Sequence, residues 1–264
     1  MGAKRSAAQN RGVALVWRSA RRGKTEPIME HTIRHTFTKQ LEELERRTLG
    51  GFDEVSEKLV RAMDAVSRCD ASLAALVVTA DRPIDHRYLD IHHGAITLLA
   101  SQAPVAGDLR LVAALLHIVW CLERMGDQCV NVAKLVPLSG YESPRDEEML
   151  ATIEGMGRLV GLQIVQAKET FVSRNIALAE DLAFQDTKVD QLNRRVFRRA
   201  VDIGDDVELR EWAMFMVLIA RALERIGDNT VNVAEQTVFL VTGELRELVD
   251  VRHSRSEGPE PEPD

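Results

Sequence analysis

Ile33, Phe37, Leu41, Leu44, Phe52, Val55, Leu59, Ala62 and Val66 follow one another at steps of three and four, with Thr48 where another apolar residue is due. That is the period of a helix burying one stripe, so the spacing predicts one long amphipathic helix, with a bend expected at Gly50 and Gly51. Ile84, Tyr88, Ile91, Ala95 and Leu98 predict a second helix; Pro83 suits its first turn and Pro104 lies in the turn that follows. A third runs from Leu109 to about Val136 and is stopped by Pro137. The scheme then restarts. Met149, Ile153, Met156, Val160, Ile164, Ala167 and Phe171 mark a fourth helix, and Leu182, Val189, Leu192, Val196 and Ile203 a fifth. Gly204, Asp205 and Asp206 punctuate, and Glu208 to about Val241 forms a sixth. No alternating strand pattern of useful length occurs. The expected fold is all-α: six long helices in two tandem three-helix bundles, residues 30–140 and 141–252.

The duplication is visible residue by residue. Leu122-Glu-Arg-Met-Gly-Asp-Gln-Cys-Val-Asn-Val-Ala133 and Leu223-Glu-Arg-Ile-Gly-Asp-Asn-Thr-Val-Asn-Val-Ala234 agree at nine of twelve positions, 101 residues apart. Such agreement over a fixed period is the mark of a repeated helical unit.

Charge divides the chain differently. Residues 1–29 carry seven basic side chains against Glu26, and residues 253–264 carry Arg255 against four acids. These stretches read as a basic, disordered N-terminal extension, with Met29 as an alternative start, and an acidic disordered tail. Residues 30–252 keep a surplus of ten negative charges, which repels nucleic acid. The three cysteines form no CxxC, so a disulfide framework or zinc knuckle is not expected and a reducing compartment is. The most apolar stretch, Leu111 to Leu122, is broken by His117 and is too short to span a bilayer. The basic arm lacks the apolar run and cleavage site of a secretory signal.

The duplicated segments carry the candidate chemistry. Glu123 with Asp127, and Glu224 with Asp228, are four apart, which puts each pair on one helix face about 5 to 6 Å apart. Asp81 with Asp85, and Asp186 with Asp190, repeat that spacing on the preceding helix. A hairpin folded about Pro104 sets Asp81 level with Asp127 and Asp85 level with Glu123. One folded about Val207 does the same for Asp186 with Asp228 and Asp190 with Glu224. Carboxylates gathered so closely repel and raise one another's pKa, and a bound cation relieves the repulsion. One metal site per repeat is therefore expected. Oxygen ligands favour Mg, Mn, Ca or iron over thiolate-bound zinc, but the ligand set does not choose among them.

Two other readings compete. About six acidic pairs at this spacing arise by chance in a chain with 41 acids, so the stripe can equally be a solvated face of a purely structural scaffold. Against that, Gly126 and Gly227 sit inside helices at about 1 kcal/mol each relative to Ala, which close approach of a neighbour or bound species would explain. A di-iron oxidase or ferritin-like store usually places His three residues after its Glu, and here that position is Gly126 or Gly227. No GxxxxGK[ST], GxGxxG, GxSxG or HExxH motif is present.

Together with Ala103-Pro-Val-Ala-Gly-Asp-Leu-Arg110 and Val238-Phe-Leu-Val-Thr-Gly-Glu244, the two LERxGDxxVNVA segments make the sequence resemble the PhoU family over about residues 30–250. The resemblance implies tandem three-helix bundles, a homodimer, and metal clusters held by (E/D)xxxD motifs. It implies a cytoplasmic, non-enzymatic negative regulator linking the Pst phosphate transporter ATPase to a PhoR-type sensor kinase, touching the membrane only through those partners. Carried onto this chain, the motif acids are Glu123, Asp127, Glu224 and Asp228, faced by Asp81, Asp85, Asp186 and Asp190. Gln128 and Asn229 stand where many relatives have His, and Pro83 sets Asp81 at the edge of its helix.

Overall fold

The computed structural model describes residues 26–79, 82–101, 104–140 and 145–248; Asp81 and most of both expected tails lie outside them. The described chain is α-helical apart from its connections. It divides into two compact units, residues 1–40 and 41–264. Of the first, the described part is the opening of helix α1 (Glu26–Arg68), which starts inside the stretch expected to be an extension. Everything below concerns the second.

Helix α1 runs on through Gly50 and Gly51, and a neighbour explains each glycine. A Cβ on Gly51 would meet Leu122 Cδ1 at 2.9 Å, and one on Gly50 would meet Arg87 Nη1 at 3.1 Å. Arg87 uses this room to pair with Glu54 and to donate to the Arg47 carbonyl at 2.9 Å. The helix is uninterrupted at the position of the expected bend, with a recess in its side. Cys69, in the left-handed region at φ 52°, ends α1. Asp70 then accepts from the amides of Ser72 and Leu73 to start a short helix, α2 (Ala71–Thr79), which periodicity did not separate from its neighbours.

Helix α3 (Arg82–Ser101), helix α4 (Ala106–Leu135) and a 3-10 turn (Val136–Ser139) complete the first repeat. The second consists of α5 (Glu147–Ser173), α6 (Ile176–Asp202) and α7 (Val207–Thr242). Asp146, Asn175 and Asp206 cap the three with side-chain oxygens, and Gly243, at φ 81°, closes α7. Helix α5 buries the predicted Ile153, Val160, Ile164 and Phe171, and the core also takes Leu115, Ile118, Leu122 and Met125 from α4 and Ile219, Leu223 and Ile226 from α7.

The repeats join along α4 and α7, which pack on each other. A Cβ on Gly243 would fall 2.7 Å from Arg110 Nη1, and Glu235 acts electrostatically on Cys121. The start of α4 therefore meets the end of α7, and the pair is antiparallel. Their two twelve-residue segments lie side by side at the centre. Helices α1 and α5 also touch: Met63 fills the space over Gly157, and Lys168 binds both oxygens of Asp53 at 2.6 and 2.8 Å.

Candidate functional site

In the second repeat three of the expected acids act electrostatically on the fourth, Glu224. Asp186 on α6 is 1% exposed, although a lone buried carboxylate is costly. Its Oδ1 accepts from Gln163 Nε2 on α5 at 3.0 Å. The same oxygen presses on α7: a Cβ on Gly227 would meet it at 2.5 Å and Gln163 Oε1 at 3.2 Å. Only glycine leaves room for a carboxylate and an amide against the backbone here, which accounts for its helix-propensity cost of about 1 kcal/mol.

One turn earlier, Glu224 pairs through Oε1 with Arg221, while its Oε2 is buried without a hydrogen-bond partner. Burial foremost, then the neighbouring charges of Asp228, Asp190 and Asp186, push the Glu224 carboxyl above its ordinary range against the opposing pull of Arg221. Glu224 therefore feels the other three acids predicted for this repeat. Gln163, 2% exposed, also keeps its Oε1 buried and unpartnered. Two buried oxygens here, Gln163 Oε1 and Glu224 Oε2, have no hydrogen-bond partner, and oxygen atoms are the ligands hard cations take. Among the described residues, no three His, Cys, Asp or Glu side chains already form a cage, so binding an ion requires these carboxylates to turn toward it.

The first repeat is built otherwise. A Cβ on Gly126 would meet Ile84 Cδ1 at 3.0 Å and Lys58 Nζ at 3.8 Å. A hairpin folded about Pro104 would set Gly126 level with Arg82; the structure sets it against Ile84, two residues on. In a helix two residues is more than half a turn, and Asp85 is exposed. In the second repeat the corresponding displacement is one residue, from Thr187 to Asp186; Asp186 is buried, and Asp190, Glu224 and Asp228 are half-buried. Asp81 lies outside the described residues. Glu123 and Asp127 are half-buried on α4, and the 6% exposed Lys58 lies beside the glycine between them.

Lys58 and Gln163 were missed from sequence. Gln163 had a visible signal, being three residues past Val160 and next to Ile164 in a buried stripe. Lys58, beside Leu59, looks like an ordinary surface lysine until α4 is placed over it.

Comparison with known proteins follows the same duplication. The PhoU domain matches twice, over residues 52–136 and 153–237. A phosphate-specific transport system accessory protein PhoU homolog of Clostridium acetobutylicum is 32% identical over 220 residues, 82% of this chain and 99% of its own. The Mycobacterium leprae PhoU homolog 1 is 31% identical over 229 residues, 84% of this chain and 100% of its own. The crystal structure of the phosphate transport system regulatory protein PhoU from Streptococcus pneumoniae superposes with a TM-score of 0.74 at 30% identity, covering 80% of this chain and 99% of that one. With both repeats matched and the relatives covered nearly end to end, this chain belongs to the PhoU family.

Proposed function

We propose that the protein is a regulatory accessory of a phosphate transport system, a cytoplasmic adaptor that restrains phosphate uptake and the starvation response when phosphate is plentiful. The observation that carries this reading is the similarity to named phosphate-transport accessory proteins across both repeats and nearly their whole length. The adaptor acts by binding. Its partners are a Pst-type transporter ATPase and a PhoR-type sensor kinase, it works as a homodimer, and it carries out no reaction of its own. No described helix is long and apolar enough to cross a membrane, which fits contact with the bilayer through partners.

In this reading a divalent or iron ion is held in the second repeat by Asp186, Asp190, Glu224 and Asp228. Such an ion supplies positive charge that neutralises the carboxylates and ties α6 to α7. Gln163 orients Asp186 by a hydrogen bond of 3.0 Å. The stapled pair then presents a stiff surface, and partners that prefer it shift the state of kinase or transporter.

Deleting the gene and measuring alkaline phosphatase in phosphate-rich medium tests the regulatory role. Activity should rise and fall again on complementation; repression that persists in a strain with no second copy overturns it.

A further inference from the structure

Helices α6 and α7 leave an open groove between them, apart from the candidate acids. Arg194, Phe197 and Arg198 share one face of α6, Val217, Leu218 and Arg221 share one face of α7, and the two faces line it. Phe197 is 58% exposed and Leu218 52%, and the neighbouring Val201 and Met214 are exposed as well, so the apolar strip continues along both helices. Contiguous apolar surface of this kind marks a place that something covers. Arg221 is held by Glu224, Arg195 by Glu148 and Arg199 by Asp146. Among the described residues, no hydrogen bond or ion pair takes up Arg194 or Arg198. On a body with ten surplus negative charges, this groove is both basic and apolar.

We propose that residues 257–264 of the same chain dock in this groove. They lie outside the described residues and read Glu-Gly-Pro-Glu-Pro-Glu-Pro-Asp, four acids and three prolines in eight positions. Alternating prolines favour polyproline II, which loses little entropy on docking and suits grooves carrying aromatic side chains. The carboxylates between them suit arginine. The prolines pack on Phe197 and Leu218 and the acids pair with Arg194 and Arg198, while Arg221 stays with Glu224. Reach selects this occupant. Leu248 is buried and donates its amide to Glu235 on α7 at 2.9 Å, and Arg246 pairs with Glu180 on α6 at 3.1 Å. The last described residues thus sit against the two helices that form the groove. Arg221 lies 14 residues before Glu235, about 21 Å along α7, and the nine residues from Leu248 to Glu257 extend up to about 30 Å. A tether of this length supplies an effective concentration on the order of millimolar, enough for contacts too weak to hold a free peptide. Docked there, the segment covers the apolar strip and occupies the arginines that any other acidic segment would use.

The experiment puts photoreactive benzoylphenylalanine at position 197 of the full chain, where exposure leaves room for it. A mixture of isotope-labelled and unlabelled protein is irradiated, and the cross-links are mapped by mass spectrometry. Position 197 should join to residues 257–264 within chains of one label. Arg194→Glu/Arg198→Glu should lower that yield about fivefold, as loss of two exposed ion pairs implies, and so should Glu260→Gln/Glu262→Gln. Raising NaCl from about 0.05 M to about 1 M should lower it in the same direction. Cross-links between differently labelled chains would seat a second copy in the groove and overturn the proposal. So would the absence of any cross-link to residues 257–264, or a yield indifferent to both charge variants, which would mean chance encounters of a tethered segment. If benzoylphenylalanine at 197 changes the helix content by circular dichroism, the same group at the exposed position 218 decides by the same outcomes.

Discussion

Single atoms decide whether each duplicated glycine is replaceable. Alanine at position 227 would put its Cβ 2.5 Å from Asp186 Oδ1, closer than carbon and oxygen tolerate, and the buried carboxylate has Gln163 as well as α7 around it. Alanine at 126 meets the end of Ile84 at 3.0 Å, a flexible apolar tip, and gains about 1 kcal/mol of helix propensity. Gly227→Ala should therefore lower the thermal midpoint and weaken Mn(II) binding, whereas Gly126→Ala should leave the midpoint near wild type. Equal losses at the two positions would show that the contact with Asp186 is not what distinguishes them. Thiol chemistry offers a second test at this scale. Burial pushes the Cys121 thiol up to about 12, and Cys129 is buried too, while the half-buried Cys69 reaches the Gly140 carbonyl at 3.1 Å. An aromatic disulfide reagent at pH 8 should titrate one thiol quickly and the other two only after denaturant; three fast thiols would mean that α4 opens readily.

At the scale of elements, helix α5 depends on its first residues. Asp146 accepts from the Met149 amide at 2.8 Å with Oδ1, and its Oδ2 receives both Nε and Nη2 of Arg199 at 3.0 and 2.6 Å. Arg199 first, then the backbone amides, hold the Asp146 carboxyl below its ordinary range despite partial burial. A depressed folded-state value means the stabilisation is present above the ordinary carboxylate pKa and is lost as pH falls through the folded one. Because Arg199 is exposed, the cap outweighs the ion pair: Asp146→Ala should cost about 1 to 2 kcal/mol, and Asp146→Asn, which keeps the capping oxygen, only a few tenths. Urea midpoints at pH 7 and pH 3 measure both, and the gap between wild type and Asp146→Ala should narrow at pH 3. A gap that persists would assign the effect to something other than the ionised cap. These helices were legible in sequence because a stripe with a period near 3.6 survives any tertiary arrangement, as the buried residues of α4, α5 and α7 attest. The surroundings of the candidate acids were less legible: Asp186 is buried against Gly227, whereas Asp85 is exposed. Spacing along a helix shows which acids share a face, but the level at which two helices meet is set by their connection and by what fills the gap. Ile84 is seated against Gly126 and Asp85 is exposed, neither of which periodicity contains. Helix α2 escaped notice for a related reason: its apolar run lies between two longer stripes and is set off by the Asp70 cap rather than by period.

For the molecule beyond residue 40, the antiparallel contact of α4 with α7 makes one folding unit of two repeats. Each of these helices belongs to the core of its own repeat and also forms the wall of the other, so neither bundle can lose its last helix while its neighbour stays closed. The ion pair between α1 and α5, Lys168 with Asp53, lies at the surface and adds little beside that shared apolar seam. Leu122 and Leu223 occupy the same place in the two copies and are 1% and 0% exposed. Truncating either to alanine should remove about 2 to 5 kcal/mol. If the seam couples the repeats, Leu122→Ala and Leu223→Ala should each move a single urea transition, with helix content and the fluorescence of buried Trp212 changing together although only the second variant lies in the helix that carries that tryptophan. In Leu122→Ala, a loss of part of the helical signal before Trp212 responds would mean that the first repeat melts alone. The copies would then be neighbours joined by a contact, and an ion bound among Asp186, Glu224 and Asp228 would have no mechanical route to a partner docked on the first repeat.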